Sequence, residues 1–246
     1  MNGLLSDGNG GYLPGEGANQ TQARFIQFDS VQSVPGIDVG WNEVINYPGR
    51  SLAGDNIDIY RSGGTANQPL EIHDTYIQGA YPYKAAKDAY TGGGIKTDAK
   101  AGDSAQEVPA FNNIHDNQVV GTTSYGIQFA AGHDNIASNN RVISSGLLAD
   151  GTKIAAQDVG LANGGVASAS MYNNAMRDNL VGWTCWKSSC AQEGYRKDQS
   201  FPASPEDYST NMVVTARQIT FDMENNEYQV WLNKLASVGI ALGPSF

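Results

Sequence analysis

NIHDNQVVG, residues 113–121, sets an apolar residue before a polar triplet, closes that triplet on Asn117, and continues with Val119 and a glycine. A near copy stands earlier as EIHDTYIQG (71–79), and looser ones follow as IASNNRVISSG (136–146) and NAMRDNLVG (174–182). Aligned on Asn-x-Val, five copies emerge: Asn42-Glu43-Val44, Thr75-Tyr76-Ile77, Asn117-Gln118-Val119, Asn140-Arg141-Val142 and Asn179-Leu180-Val181. Their apolar anchors are 33, 42, 23 and 39 residues apart. A second ladder interleaves with the first: Ile26-Gln27-Phe28, Ile57-Asp58-Ile59, Ile95-Lys96-Thr97, Ile127-Gln128-Phe129 and Val159-Gly160-Leu161. Short segments of constant length at variable intervals mean that strands stack while the loops between them differ.

This pattern predicts an all-β chain, a right-handed parallel β-helix (solenoid). Like residues lie over like residues about 4.8 Å apart, with Val, Ile and Phe turned inward and an Asn ladder bonding turn amides above and below. An antiparallel sandwich is the alternative, but hairpins join through about 2–5 residues. The organisation expected is an irregular segment at 1–23, coils at 24–182, and a C-terminal connection, strand and helix at 183–246. There, MVVTARQITF (212–221) reads as strand and MENNEYQVWLNKLASVG (223–239) as an amphipathic helix stopped by Gly239. That helix, with IALGP as a closing short strand, is expected to cap the last coil. Trp231 and Tyr228 on its apolar face read as core, with sugar stacking as the other option.

Composition narrows the partners. Glycine is abundant (29 residues), charged residues are sparse (16%), and the formal charge is −10. Such a chain has little to offer phosphates, so nucleic acid is not expected. An acidic polysaccharide would need local Lys, Arg or a bound cation to reverse the sign. No apolar run approaches the ~18 residues of a membrane span, so no membrane insertion is expected. Cys185 and Cys190 suit a disulfide in a secreted or periplasmic protein, or else two free thiols. The opening residues lack a basic start followed by an apolar core, so no signal peptide is seen. Because Ile26 already belongs to a rung, further coils are expected before residue 1 in the parent protein. The open N-terminal coil would then be covered by residues 1–23 or would self-associate with another chain.

Outward positions of stacked strands form columns. One holds Gly40, His73, His115, Ser138 and Arg177; the next holds Trp41, Asp74, Asp116, Asn139 and Asp178; a third holds Glu43, Tyr76, Gln118, Arg141 and Leu180. The second ladder's middle column is Gln27, Asp58, Lys96, Gln128 and Gly160. Stacked His73 and His115, each followed by Asp, suit proton transfer or simply extend the turn's hydrogen-bonding ladder. Asp74 and Asp116 are candidate ligands for a shared Ca2+. The 80–94 insertion carries Tyr81, Tyr83, Lys84 and Lys87, whose flat rings suit sugars and whose ammonium groups suit uronate carboxylates. His133 beside Asp134 on a tight turn is a weaker signal.

The succession NEVINYPGRS, DNIDIYRSGGT, HDTYIQGAYP, YTGGGI, NQVVGTTSYGIQFAAGHDN and NNRVISSG resembles bacterial right-handed parallel β-helix proteins of the pectate-lyase-like superfamily, over roughly residues 25–182. The resemblance implies a polysaccharide partner outside the cytoplasm, with lyase, hydrolase or epimerase action on an acidic glycan. It carries no catalytic residue across. The Asp-Pro-His motif of alginate epimerases is missing, as are the Asn-Thr-Asp and Arg-Ile-Lys signatures of polygalacturonases and the Trp-Ile-Asp-His and Arg-x-Pro-x-x-Arg patterns of pectate lyases. On residue chemistry, Lys96, His115, Arg141 and Tyr81 are the candidates for base and enolate stabiliser. Tyr76, Tyr83, Lys84, Lys87 and His73 are the candidate sugar contacts. The competing expectation is a non-catalytic structural or glycan-binding module.

Overall fold

The structure is a computed structural model and describes residues 23–48, 52–82, 84–88, 92–166, 170–188, 190, 192 and 194–243. Five coils follow one another, each contributing three short strands. The first is β1 (Ile26–Asp29), β2 (Asp38–Gly40) and β3 (Glu43–Ile45); the second is β4 (Ile57–Tyr60), β5 (Leu70–His73) and β6 (Tyr76–Gln78). The third is β7 (Ile95–Asp98), β8 (Asn112–His115) and β9 (Gln118–Val120). Then come β10 (Tyr125–Phe129), β11 (Ile136–Ser138) and β12 (Arg141–Ser144), followed by β13 (Val159–Asn163), β14 (Ala175–Arg177) and β15 (Leu180–Cys185). After β16 (Tyr195–Arg196), β17 (Gln199–Ser200) and β18 (Met212–Val213), the chain ends in helix α1 (Phe221–Ser237).

Every third strand pairs in parallel. Sheet one is ordered β1-β4-β7-β10-β13-β17, sheet two β2-β5-β8-β11-β14, and sheet three β3-β6-β9-β12-β15 with β18 beyond β15. Among the strands of the described residues, β16 alone pairs antiparallel, with the far end of β15. This all-β arrangement of three parallel sheets is compatible with a parallel β-helix. In sheet three, Val44, Ile77, Val119, Val142 and Val181 are direct partners rung by rung, in the predicted file. Together with Ile57, Ile59, Ile72, Ile95, Ile114, Ile127 and Phe129 they form one core. Burying each such side chain stabilises by about 1.5–3 kcal/mol.

The polar corner is as ordered as the core. Asn117 Oδ1 accepts from Thr75 N at 3.0 Å, and Asn117 Nδ2 donates to Ile72 O at 2.9 Å. Asn140 Oδ1 accepts from Asn117 N, Asn179 Oδ1 from Asn140 N, and Asn211 Oδ1 from Asn179 N, each at 3.0 Å. Trp41, Asp74, Asp116, Asn139 and Asp178, one place earlier, all hold φ between 52° and 59°. That left-handed turn suits Asn and Asp better than bulky residues.

Several expectations are corrected. Leu161, not Val159, pairs with Ile127, and Val159 pairs with Tyr125. A slip of two keeps the same faces inward, so hydrophobic alternation does not discriminate the registers; the outward column continues to Ala162 instead of Gly160. Strand in 212–221 is confined to Met212–Val213, and residues 240–243 form no strand. A sixth, partial coil follows: β17 extends sheet one, Asp207 bridges to Ala175, and β18 extends sheet three. Helix α1 starts at Phe221, with the Thr220 hydroxyl accepting from Met223 N at 3.2 Å. It lies along sheet three, not over the last coil, because Tyr76 and Val120 need apolar cover there. Buried Trp231 and Leu235 supply it, with Trp41, Ile45, Tyr228 and Leu232 around them. The expected covering role of residues 1–23 falls on residues that, except Ala23, lie outside the described ones.

Candidate functional site

The structure spreads the anticipated catalytic side chains over different faces. Lys96 is on sheet one, ion-paired to Asp98 at 2.8 Å. His115 is on sheet two. Arg141, on sheet three, makes two bonds of 2.6 and 2.8 Å to Glu227 of α1, which raise its pKa above the ordinary value. Tyr81, just past β6, is buried, and that burial pushes its hydroxyl pKa upward. Tyr76 is buried beneath Tyr228 and Trp231, at ring separations of 5.0 and 5.7 Å. Lys84 and Lys87 flank a shallow depression with Leu148 and Thr152. Tyr83 lies outside the described residues.

His73 and His115 do stack, with centroids 5.2 Å apart and planes 10° from parallel. His73 Nδ1 meets Asp74 at 2.7 Å and its Nε2 meets Asp38 at 3.1 Å; His115 reaches Asp116 at 2.8 Å and Glu71 at 3.2 Å. Burial opposes charge on His73, but its bonds to Asp74 and Asp38 outweigh that and hold its pKa above the ordinary 6.5. Between Asp74 and Asp116 stands the Lys234 ammonium, paired with the Asp74 carboxylate and donating to Asp116 O at 2.6 Å. The Lys234 ammonium from α1 thus offsets the Asp74 charge, while the Asp116 carboxylate is bonded to His115. Asp158, Cys185 and Cys190 form the one metal-sized donor group among the described residues. The two cysteines are joined in a disulfide, which leaves no thiolate to bind a metal. Asp158 is already paired with Lys187 and Lys197.

A groove that sequence reasoning missed opens at the corner between sheets one and two. A second asparagine ladder builds that corner: Asn135 Oδ1 accepts from Asn112 Nδ2 at 2.8 Å, and Asn174 Oδ1 accepts from Asn135 N at 3.0 Å. Phe111, Asp134 and Asn173, each one place earlier, have φ of 56°, 54° and 52°. Gly63 lets the second coil press against the third, since a Cβ there would sit 1.8 Å from Ala110 O. The signal was present in the chain: these asparagines are spaced 23 and 39 residues apart, the same steps as Val119, Val142 and Val181.

The groove has an aromatic end and a polar end. At the aromatic end, the His133 ring stacks on Tyr172 with centroids 4.5 Å apart, and Phe111 meets it edge-on at 6.1 Å. Tyr172 is 45% exposed. His133 Nδ1 is bonded to Asp134 at 2.6 Å and Nε2 to Ala105 O at 3.0 Å, so neither nitrogen is turned to a ligand. A cavity of about 260 Å³ lies here, also lined by Gln32, Ser33 and Gln106. Gln32 and Gln106 also line an adjoining cavity with Ser30, Arg61 and Glu107.

The polar end is braced internally. Gln32 Nε2 donates to Arg61 O at 2.6 Å and to Glu107 O at 3.0 Å. Arg61 contacts Asp103 at 3.1 Å and Glu107 at 2.7 Å. Ser104 N and Oγ donate to Glu107 at 3.0 and 2.8 Å, and these bonds, with Arg61, lower the pKa of its carboxyl. A pre-formed wall of rings, amides and hydroxyls with its acids and bases already engaged is suited to holding a polar ligand rather than moving its protons.

Sheet one carries a different kind of group. Asp58 is 3% exposed, and its Oδ1 has no hydrogen-bond partner. Gln27 Nε2 donates to Oδ2 at 3.1 Å; Arg24 Nε lies 3.0 Å from Oδ2, at ion-pair distance but without hydrogen-bond alignment. Burial, then the nearby Asp55 charge, pushes its pKa from 3.8 to about 6. Tyr125 donates its hydroxyl to Asp55.

No family model, no curated protein and no solved structure matches this chain.

Proposed function

We propose that the chain is a right-handed parallel β-helix of the pectate-lyase-like kind that recognises an extracellular polysaccharide, and that it does so as a binding module. The observation that carries this reading is the groove joining Tyr172, His133 and Phe111 to Gln32, Gln106 and Ser33. Carbohydrate presents apolar C–H faces beside hydroxyls, and such a ligand uses aromatic surface and amides together. The Cys185–Cys190 bridge supports a secreted or periplasmic setting. No helix among the described residues is long and apolar enough to cross a membrane.

Titration calorimetry against a panel of oligosaccharides tests the reading. Binding without consumption of the sugar is expected, with Gln106→Ala weakening it about 5- to 10-fold, the worth of one to two hydrogen bonds. Retention of full affinity by that variant would remove the groove from the account. A second reading, enzymatic, is favoured by Asp58, whose elevated pKa suits a proton donor. It predicts new reducing ends or unsaturated products that disappear in Asp58→Asn; an intact sugar after prolonged incubation rejects it.

A further inference from the structure

The groove's electrostatics specify which sugars it takes, an inference that rests on its being a glycan site. Among the described residues lining it, Arg61 is the only Lys or Arg. Its guanidinium is committed on two sides, Nε to Asp103 at 3.1 Å and Nη2 to Glu107 at 2.7 Å. One positive charge therefore faces two negative ones, and Asp134 stands behind His133 at the aromatic end. Glu107 is held ionised by Ser104 as well as by Arg61. The whole chain adds its own formal charge of −10.

A uronate carboxylate entering such a groove meets like charge without a vacant donor cluster to receive it, and like-charge juxtaposition opposes binding. Sugar hydroxyls, by contrast, can donate to the Gln106 amide oxygen and accept from its NH2, while a ring face packs on exposed Tyr172. We infer that this groove selects neutral oligosaccharides and discriminates against uronate polymers. This departs from the expectation drawn from Lys84 and Lys87 as uronate contacts and from Lys96 as a catalytic group acting on a uronate. Those three lie elsewhere: Lys84 and Lys87 line a separate depression and Lys96 is on sheet one.

The test compares neutral gluco-, xylo-, manno- and galacto-oligosaccharides with oligogalacturonate of equal length, by calorimetry on the full chain at low and high salt. At least one neutral series should bind 10-fold or more tighter than the uronate. Its affinity should be insensitive to salt and should fall about 10-fold in Tyr172→Ala. Uronate binding should strengthen as salt screens the repulsion. Glu107→Gln, an exposed change that frees one side of Arg61, should raise uronate affinity several-fold relative to that of the neutral sugar. Tighter uronate binding by the unaltered chain, or uronate affinity that salt weakens, overturns the inference and leaves the glycan groove standing. Binding of no sugar in either class overturns both.

Discussion

At the scale of single residues, the stacked asparagines do what neither sheet can do for the turns. Asn140 illustrates it: Nδ2 donates to Ile114 O at 2.8 Å and to Asn179 Oδ1 at 3.0 Å, while Oδ1 receives Asn117 N and Asn117 Nδ2, both at 3.0 Å. The residue is fully buried, so water cannot replace a lost partner. Asn140→Ala should cost about 3 kcal/mol, since each orphaned buried group costs ~1–3 kcal/mol. Chemical denaturation measures it, and a loss below ~1 kcal/mol would mean that the ladder is decorative. This corner was readable in the chain, because a four-atom amide reaching both neighbouring coils must recur at one position per turn. Asn211 was overlooked although Asn211-Met212-Val213 repeats the same triplet 32 residues after Val181. Its anchor is exposed, at 48% for Val213, and sits in an otherwise polar stretch.

At the scale of elements, α1 is fastened along sheet three by groups that answer to pH. Glu224 is 4% exposed and accepts from Ser145 N at 2.6 Å and from the Ser145 hydroxyl. Burial outweighs those bonds and raises its pKa from 4.5 to about 7. The folded state therefore binds this proton more tightly than the unfolded chain. The stabilisation is fully present below pH 4.5 and is lost as pH rises through about 7. The melting temperature should fall between pH 5 and pH 8 by several degrees, with Trp231 fluorescence reporting release of the helix. Glu224→Gln should flatten that part of the profile; an unchanged slope in the variant would assign the pH dependence elsewhere. The amphipathic period announced the helix, yet not its berth. Tyr76 and Val120 lie on outward positions of sheet three, and only the assembled sheet shows that they form an apolar patch for Trp231 and Leu235 to cover.

At the scale of the whole molecule, 25 acidic residues stand against 15 basic ones. Self-repulsion of that excess destabilises a compact state, and salt screens it within about 8–10 Å. Raising ionic strength from low to physiological should lift the melting temperature by a few degrees. A fall instead would show that the many carboxylate pairs with His, Lys and Arg outweigh the net repulsion.

What the chain alone determined is the repeat. Inward Val and Ile at one position, Asn at the corner (Thr75 once) and a left-handed residue before it (polar in every coil but that of Trp41) answer the same local physics in each coil, so they recur and can be counted. The phase of sheet one past Ile127 was undetermined by that count, since registers two residues apart bury the same faces. Only the tertiary structure decided that Gln32, Arg61, Gln106, His133 and Tyr172, drawn from five successive coils, border two adjoining cavities that share Gln32 and Gln106. It likewise decided that Arg141 and Asp74 spend their charge on α1. Loops of unequal length bring distant residues together at a corner, and no periodicity records where they meet.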